Sequence, residues 1–152
     1  FVAMLATQLA YGKVDLTMVL NGALAGLVSI TAEPLTPTMG WTCFIGGVGG
    51  VIVVYGVPLL DKFKIDDVVG AIPVHLFAGI WGTLAVVLTN PEAALGTQIY
   101  GIVVVGVFTF VISGAAWVIL NAILGIRVSE EDEITGLDTA ELGMEAYPDF
   151  VR

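Results

Sequence analysis

The sequence predicts an all-α membrane protein, and three observations point to that fold class. Of its 152 residues, 57% are hydrophobic, whereas soluble domains are about 45–50% apolar. Only 12% are charged, which is too few to cover a water-soluble surface of this size. The apolar residues stand in long unbroken runs and give a mean hydropathy of +0.97. A helix that crosses a bilayer needs about 20 such residues.

Four of these runs predict membrane-spanning helices. Residues 1–11 have the composition of the last turns of an earlier span, so the chain is expected to begin inside a hydrophobic segment. The first span is slightly short, and the last is long enough to predict a tilted helix that stops at Gly125. The predicted spans cover residues 16–32, 41–60, 68–88 and 98–125.

The segments between the spans contain turn residues, and their charges predict the topology. Prolines interrupt residues 32–40, charges crowd residues 60–67, and an Asn-Pro pair with a following glycine marks 89–96. If the chain crosses the membrane at each span, every basic residue falls on the same side. Cytoplasmic loops carry the excess of Lys and Arg. We therefore expect the C-terminus in the cytoplasm. The five basic residues are Lys13, Lys62, Lys64, Arg127 and Arg152.

The charge pattern predicts two parts, a transmembrane part at 1–127 and an acidic tail at 128–152. The net charge is −9, and eight of the 14 acidic residues follow residue 128. This balance argues against nucleic-acid binding, which requires clustered Lys and Arg. The single cysteine, Cys43, excludes an internal disulfide and any cysteine-based metal site. It is expected to act as a small apolar residue within a span.

Small and polar residues within the spans predict a closely packed bundle. Gly22 and Gly26 form a G-x-x-x-G pair, and four glycines crowd residues 46–50. Such residues let helix backbones approach closely in lipid. We expect the hydroxyl groups to bond to their own helices. Asn21 is expected to form a hydrogen bond across to a neighbouring helix.

The only histidine, His75, lies in the apolar stretch "AIPVHLFAGIWGTLAV" at residues 71–86. Ionisable groups within spans are rare and often mark a substrate path. The alternative interpretation is an uncharged histidine that makes one hydrogen bond between helices, and the residue alone leaves both open. Pro73 predicts a kink, because it cannot donate to the carbonyl of Val69. Broken helices near the membrane midplane are typical of transporters.

Burial in lipid favours an uncharged imidazole at His75. A neutral ring has one donor and one acceptor nitrogen, which suits a passing proton or a small molecule with both hydrogen-bonding functions. One histidine without nearby carboxylates provides too few ligands for a metal, so no metal or cofactor is expected.

Three stretches resemble the C-terminal half of ammonium transporters of the Amt family, which also includes the Rhesus proteins. They are "LNGALAGLVSITA" (20–32), "KIDDVVGAIPVHLFAGIWGTLAV" (64–86) and "LGIRVSEEDEITGLDTAELGMEAYP" (124–148). The resemblance implies an eleven-helix fold, in which residues 1–11 and the four spans are similar to helices 7–11. It also implies a homotrimer with one pore in each subunit.

The resemblance also implies roles for two residues. His75 matches the pore histidine of the second half, whereas the pore histidine of the first half has no counterpart in this sequence. Ala71, one turn earlier, falls near the hydrophobic wall of the pore. The tail resembles the regulatory C-terminus near the docking place of PII-type signalling proteins. Many members carry His-Gly-Glu before the final Ala-Tyr, and "ELGMEAY" at 141–147 departs from that pattern.

The implied function is ammonium transport rather than enzymatic catalysis, in a multi-pass protein of the cell inner (plasma) membrane. Ammonium loses its proton at the mouth of the pore, and ammonia passes along an apolar channel in a complete subunit. The alternatives are a membrane-embedded ammonium sensor or a non-conducting fragment. Four and a half spans cannot enclose a pore that is built from two halves, so this polypeptide alone is not expected to conduct.

Overall fold

The computed structural model describes residues 1–148. Helices make up the regular structure, and no strand occurs in this part of the chain. The all-α prediction is therefore confirmed. Asp149 and Arg152 of the predicted tail lie outside the described residues. The helices are α1 (Val2–Tyr11), α2 (Leu16–Ile30), α3 (Met39–Lys62), a π-helical segment (Ile72–Phe77), α4 (Ala78–Thr89), α5 (Leu95–Leu124), α6 (Glu130–Thr135) and α7 (Leu137–Leu142).

Three helical stretches have the length and apolar composition to cross a membrane: α3, the continuous stretch Ile72–Thr89, and α5. We call Ile72–Thr89 the His75 helix. The first predicted span corresponds to α2, which has 15 residues and is shorter than a full crossing requires. The last predicted span corresponds to α5, which ends where Gly125 takes a left-handed backbone angle with a φ of 64°.

Local chemistry sets the ends of α2 and α3. The Asp15 carboxylate accepts a hydrogen bond from the Met18 amide at 2.9 Å and so caps the start of α2. The Thr38 hydroxyl accepts from the Trp41 amide at 3.4 Å at the start of α3. Such caps satisfy amides that have no partner inside the helix. Both helices therefore begin at a polar residue that precedes an apolar run.

Glycines bring α2 and α3 into close contact, as the sequence predicts. A Cβ built on Gly26 would lie 3.4 Å from the carbonyl oxygen of Gly46. A Cβ on Gly49 would lie 2.7 Å from the carbonyl oxygen of Ala25. Backbone therefore packs directly against backbone along this pair of helices. The bundle core next to this contact consists of Ala25, Val53, Val74 and Ala78.

The chain forms two compact units, Phe1–Val105 and Gly106–Arg152. The first contains α1 to α4 and the beginning of α5. The second contains the rest of α5 followed by α6 and α7 in the described part of the tail. There the Ser129 hydroxyl caps α6 by accepting from the Asp132 amide at 3.1 Å. Arg127 forms an exposed salt bridge with Glu133 at 2.8 Å.

Candidate functional site

The His75 helix begins at a sharp turn that Asp67 and Gly70 form. The carboxylate of Asp67 accepts hydrogen bonds from the amides of Ala71 and Ile72, both at 2.8 Å. Gly70 is buried and has a φ of 76°, a left-handed angle that favours glycine. The helical stretch starts at Ile72, a few residues after the approximate start at 68 that the sequence predicts, because the backbone reverses its handedness at Gly70.

Pro73 lies in the first turn of this helix rather than in its middle. Proline is tolerated there because first-turn amides have no partner inside the helix. The irregularity at Pro73 takes the form of a π-helical segment at the start of the helix. The carbonyl of Val69, which precedes Pro73 by four residues, accepts from the side-chain amide of Asn21 at 2.9 Å. Asn21 was expected to bond to a neighbouring helix; its bond does leave α2, but the acceptor lies in the turn before the His75 helix.

The segment Ile72–Phe77 is π-helical, and it contains His75. Such wide turns are rare and frequently occur at functional sites. One side of the segment is held by packing, because Pro73 and Val74 are buried. A Cβ built on Gly56 of α3 would lie 3.0 Å from Cβ of Pro73, so α3 supports this side directly.

His75 and Ala71 lie on the other side of the same helix, and both are exposed. They are four residues apart, which places them about one helical turn apart on one face. Among residues 1–148, no hydrogen bond to the imidazole of His75 is found. The ring is available to a ligand, with one donor and one acceptor nitrogen in its neutral form.

Other polar side chains of the His75 helix form hydrogen bonds with backbone carbonyls. The hydroxyl of Thr83 donates to the carbonyl of Gly79 at 2.8 Å, as expected for a hydroxyl that bonds its own helix. The indole of Trp81 donates to the carbonyl of Ile45 in α3 at 2.9 Å. No group of three or more His, Cys, Asp or Glu residues that could hold a metal occurs in the described part of the chain.

Sequence reasoning missed two supporting features. Asp67 was expected only as one charge of a polar loop, although an Asp shortly before an apolar run is a known signal for a helix start. The hydroxyl of Tyr11 donates to the carbonyl of Val54 at 3.2 Å. Val54 precedes Pro58 by four residues, and Pro58 lies inside α3. No local sequence signal pairs Tyr11 with Val54, because 43 residues separate them.

Comparison with known proteins identifies the family. A model of the Ammonium Transporter Family matches residues 1–147. The chain belongs to this family. It is 41% identical to the ammonium transporter Amt2 of Archaeoglobus fulgidus over 98% of its length, and 35% identical to Amt1 of Haloferax mediterranei over 98%. Identity to the ammonium transporter of Bacillus subtilis is 34% over 85% of the chain.

The match covers 36%, 30% and 36% of the length of these three relatives, respectively. The chain therefore spans about a third of the proteins that it resembles. The family and the three long apolar helices make it a membrane protein.

Proposed function

We propose that this chain contributes the C-terminal part of an ammonium transporter subunit, with the second-half side of its pore, and that His75 lines that pore. The observation that carries the proposal is the exposed imidazole of His75, which has no hydrogen-bond partner among residues 1–148 and lies in a π-helical turn of an apolar helix. The names of the relatives support the substrate, because they are called ammonium transporters. Ala71 forms the apolar wall one turn away.

The chemistry of the substrate favours ammonia as the permeating species. Moving a small cation from water into a medium of low dielectric constant costs on the order of 20 kcal/mol in the ideal case, and several kcal/mol after relaxation. Neutral ammonia avoids most of this cost. A pore that takes the proton at its mouth therefore excludes potassium, which has no proton to lose. The neutral imidazole of His75 donates to and accepts from ammonia inside the pore.

The proposal includes an arrangement in the membrane. Residues 1–127 form the transmembrane part, and the acidic tail at 128–152 lies in the cytoplasm, because all five basic residues then face that side. The complete subunit lies in the plasma (inner) membrane and assembles as a homotrimer. The tail provides the docking surface for a PII-type regulator. These three features are taken from the Amt family that the chain resembles.

The test replaces His75 with Ala in a complete subunit and measures uptake of methylammonium together with ammonium currents in the presence of potassium. We expect uptake to fall roughly 10-fold or more, or selectivity over potassium to be lost, because a ligand hydrogen bond worth about 1–1.5 kcal/mol is removed. Leu76→Ala is the matched control, because Leu76 is the next residue of the same helix and is also exposed, at 52%.

Unchanged uptake and selectivity in His75→Ala would show that His75 has no role in the pore. A complete wild-type subunit that binds ammonium but passes no flux would favour the sensor function instead. Comparable losses in His75→Ala and Leu76→Ala would indicate a general effect on folding and would contradict a specific role for the imidazole.

A further inference from the structure

The position of the His75 helix depends on a turn that is held from two sides. On the C-terminal side of Gly70, the Asp67 carboxylate binds the amides of Ala71 and Ile72. On the N-terminal side, the Asn21 side chain binds the carbonyl of Val69 at 2.9 Å. Without Asn21, that carbonyl would lose this hydrogen-bond partner.

Asn21 also closes the space around the turn. A Cβ built on Gly70 would lie 2.8 Å from Nδ2 of Asn21 and 3.1 Å from Cγ2 of Val57. The side chain of Asn21 therefore contacts the turn at the residue where the backbone changes handedness. Asn21 itself lies within α2, whose glycines pack directly against α3. The turn is thereby fixed to the closely packed pair of helices.

We infer that Asn21 is a positioning residue for His75, because its amide fixes the start of the His75 helix and with it the direction of the imidazole. The inference rests on the proposed function of His75. His75 follows Val69 by six positions in the chain and is the fourth residue of the π-helical segment that begins at Ile72. A small rotation of the backbone at the turn therefore changes the position of the His75 ring.

The π-helical geometry is the reason why the start of the His75 helix needs a positioning contact. Its wider turns are rarer than α-helical turns, so the segment Ile72–Phe77 requires fixed contacts at its start. Pro73 and Val74 fix one side through burial. The exposed side, which carries Ala71 and His75, has no comparable packing within residues 1–148. Burial of Pro73 and Val74 and the turn that Asn21 contacts therefore act together on the orientation of the segment.

The experiment uses complete subunits in which Asn21 is replaced by Leu, a side chain of similar size without a donor, or by Gln, which keeps the amide. We expect Asn21→Leu to lower the maximal rate of methylammonium uptake roughly 10-fold. The apparent KM should change by less than about twofold, because the groups that first bind the substrate are untouched. Asn21→Gln should recover a substantial part of the rate.

Asn121→Leu is the matched control, because it makes the same chemical change at an exposed position of α5. Its uptake should equal that of the wild type. If Asn21→Leu does not reach the membrane, Asn21→Ala has the same expected result, with amounts of trimer measured in parallel. His75→Ala is assayed alongside, so that the two proposals can be judged separately.

Wild-type rate and selectivity in Asn21→Leu, combined with a clear loss in His75→Ala, would overturn the positioning role and leave the function of His75 intact. Equal losses in Asn21→Leu and Asn21→Gln would also overturn it, because the donor would then be irrelevant. If His75→Ala has no effect, the proposed function of His75 is wrong. A positioning role of Asn21 for His75 is then wrong as well.

Discussion

At the scale of single residues, two polar side chains donate to backbone carbonyls that precede a proline by four residues. Pro58 leaves the carbonyl of Val54 without its helical partner, and Tyr11 donates to that carbonyl. Asn21 donates to the carbonyl of Val69, which precedes Pro73. In a membrane, an unpaired carbonyl costs several kcal/mol. Tyr11 therefore compensates for Pro58 inside α3, whereas Asn21 satisfies a carbonyl of the turn that precedes the His75 helix.

Tyr11→Phe tests this compensation, since it removes only the hydroxyl that binds Val54. We expect the free energy of unfolding of the detergent-solubilised complete subunit to fall by about 1–2 kcal/mol, the cost of leaving a buried acceptor unpaired. Tyr55→Phe in α3 is the control, because Tyr55 is 59% exposed. Equal stability of the Tyr11→Phe variant and the wild type would show that the Val54 carbonyl does not need this donor.

The sequence predicted the importance of individual residues where a polar or ionisable side chain stands in an apolar run. His75 stands out because it is the only histidine and lies in an apolar run. Asn21 was predicted to bond across to another element because an amide inside a span requires a partner. The Tyr11–Val54 bond could not be predicted, because a carbonyl has no sequence signature and the two residues meet only in the folded bundle.

At the scale of helices, hydrophobic runs predicted which elements exist but not all of their ends. α3 begins two residues before its predicted start and ends two residues beyond its predicted end, up to Lys62. The His75 helix begins later than predicted, because the left-handed angle at Gly70 depends on contacts with Asn21 and Val57. Hydropathy does not encode such contacts, since Asn21 and Val57 lie far from Gly70 in the sequence.

Packing of α2 against α3 and α4 depends on glycines that leave no space for a methyl group. A Cβ on Gly49 would meet the Ser29 hydroxyl and would lie 2.7 Å from the carbonyl oxygen of Ala25. A Cβ on Gly82 of α4 would meet the carbonyl of Ser29. Ser29 is 1% exposed, so it cannot move away into open space. These contacts make α2 the element against which α3 and α4 pack.

Gly49→Ala is expected to separate α2 from α3 and to lower the free energy of unfolding by about 1–3 kcal/mol, as overpacking does in closely packed interiors. Gly114→Ala is the matched control in α5, because nothing lies within 4 Å of the added Cβ. That change should be neutral or stabilising by up to about 1 kcal/mol, since Ala is the better helix former. Thermal unfolding in detergent measures both variants, and equal effects would contradict the packing argument.

At the scale of the whole molecule, the distribution of charge predicts the orientation in the membrane. The loops between α2 and α3 and between α4 and α5 contain no Lys or Arg. These two loops contact each other, because the Asn90 side-chain amide donates to the Glu33 carboxylate at 3.1 Å. They therefore belong to the same side of the bundle, as a chain that crosses at each helix requires. The remaining loops carry the basic residues, which favours a cytoplasmic position for them.

Cysteine labelling tests this orientation in intact cells. In a complete subunit without other cysteines, including a Cys43→Ala change, Glu92→Cys should react with a membrane-impermeant maleimide added from outside. Ser129→Cys, at the start of α6, should react only after the membrane is permeabilised. The tail is expected on the same side of the membrane as the loops that carry Lys and Arg, which is the cytoplasmic side. Labelling of the Ser129→Cys variant in sealed cells, with the Glu92→Cys variant protected, would mean that the chain has the opposite orientation. Both variants need to retain methylammonium uptake, so that the labelled proteins are in the transporting arrangement.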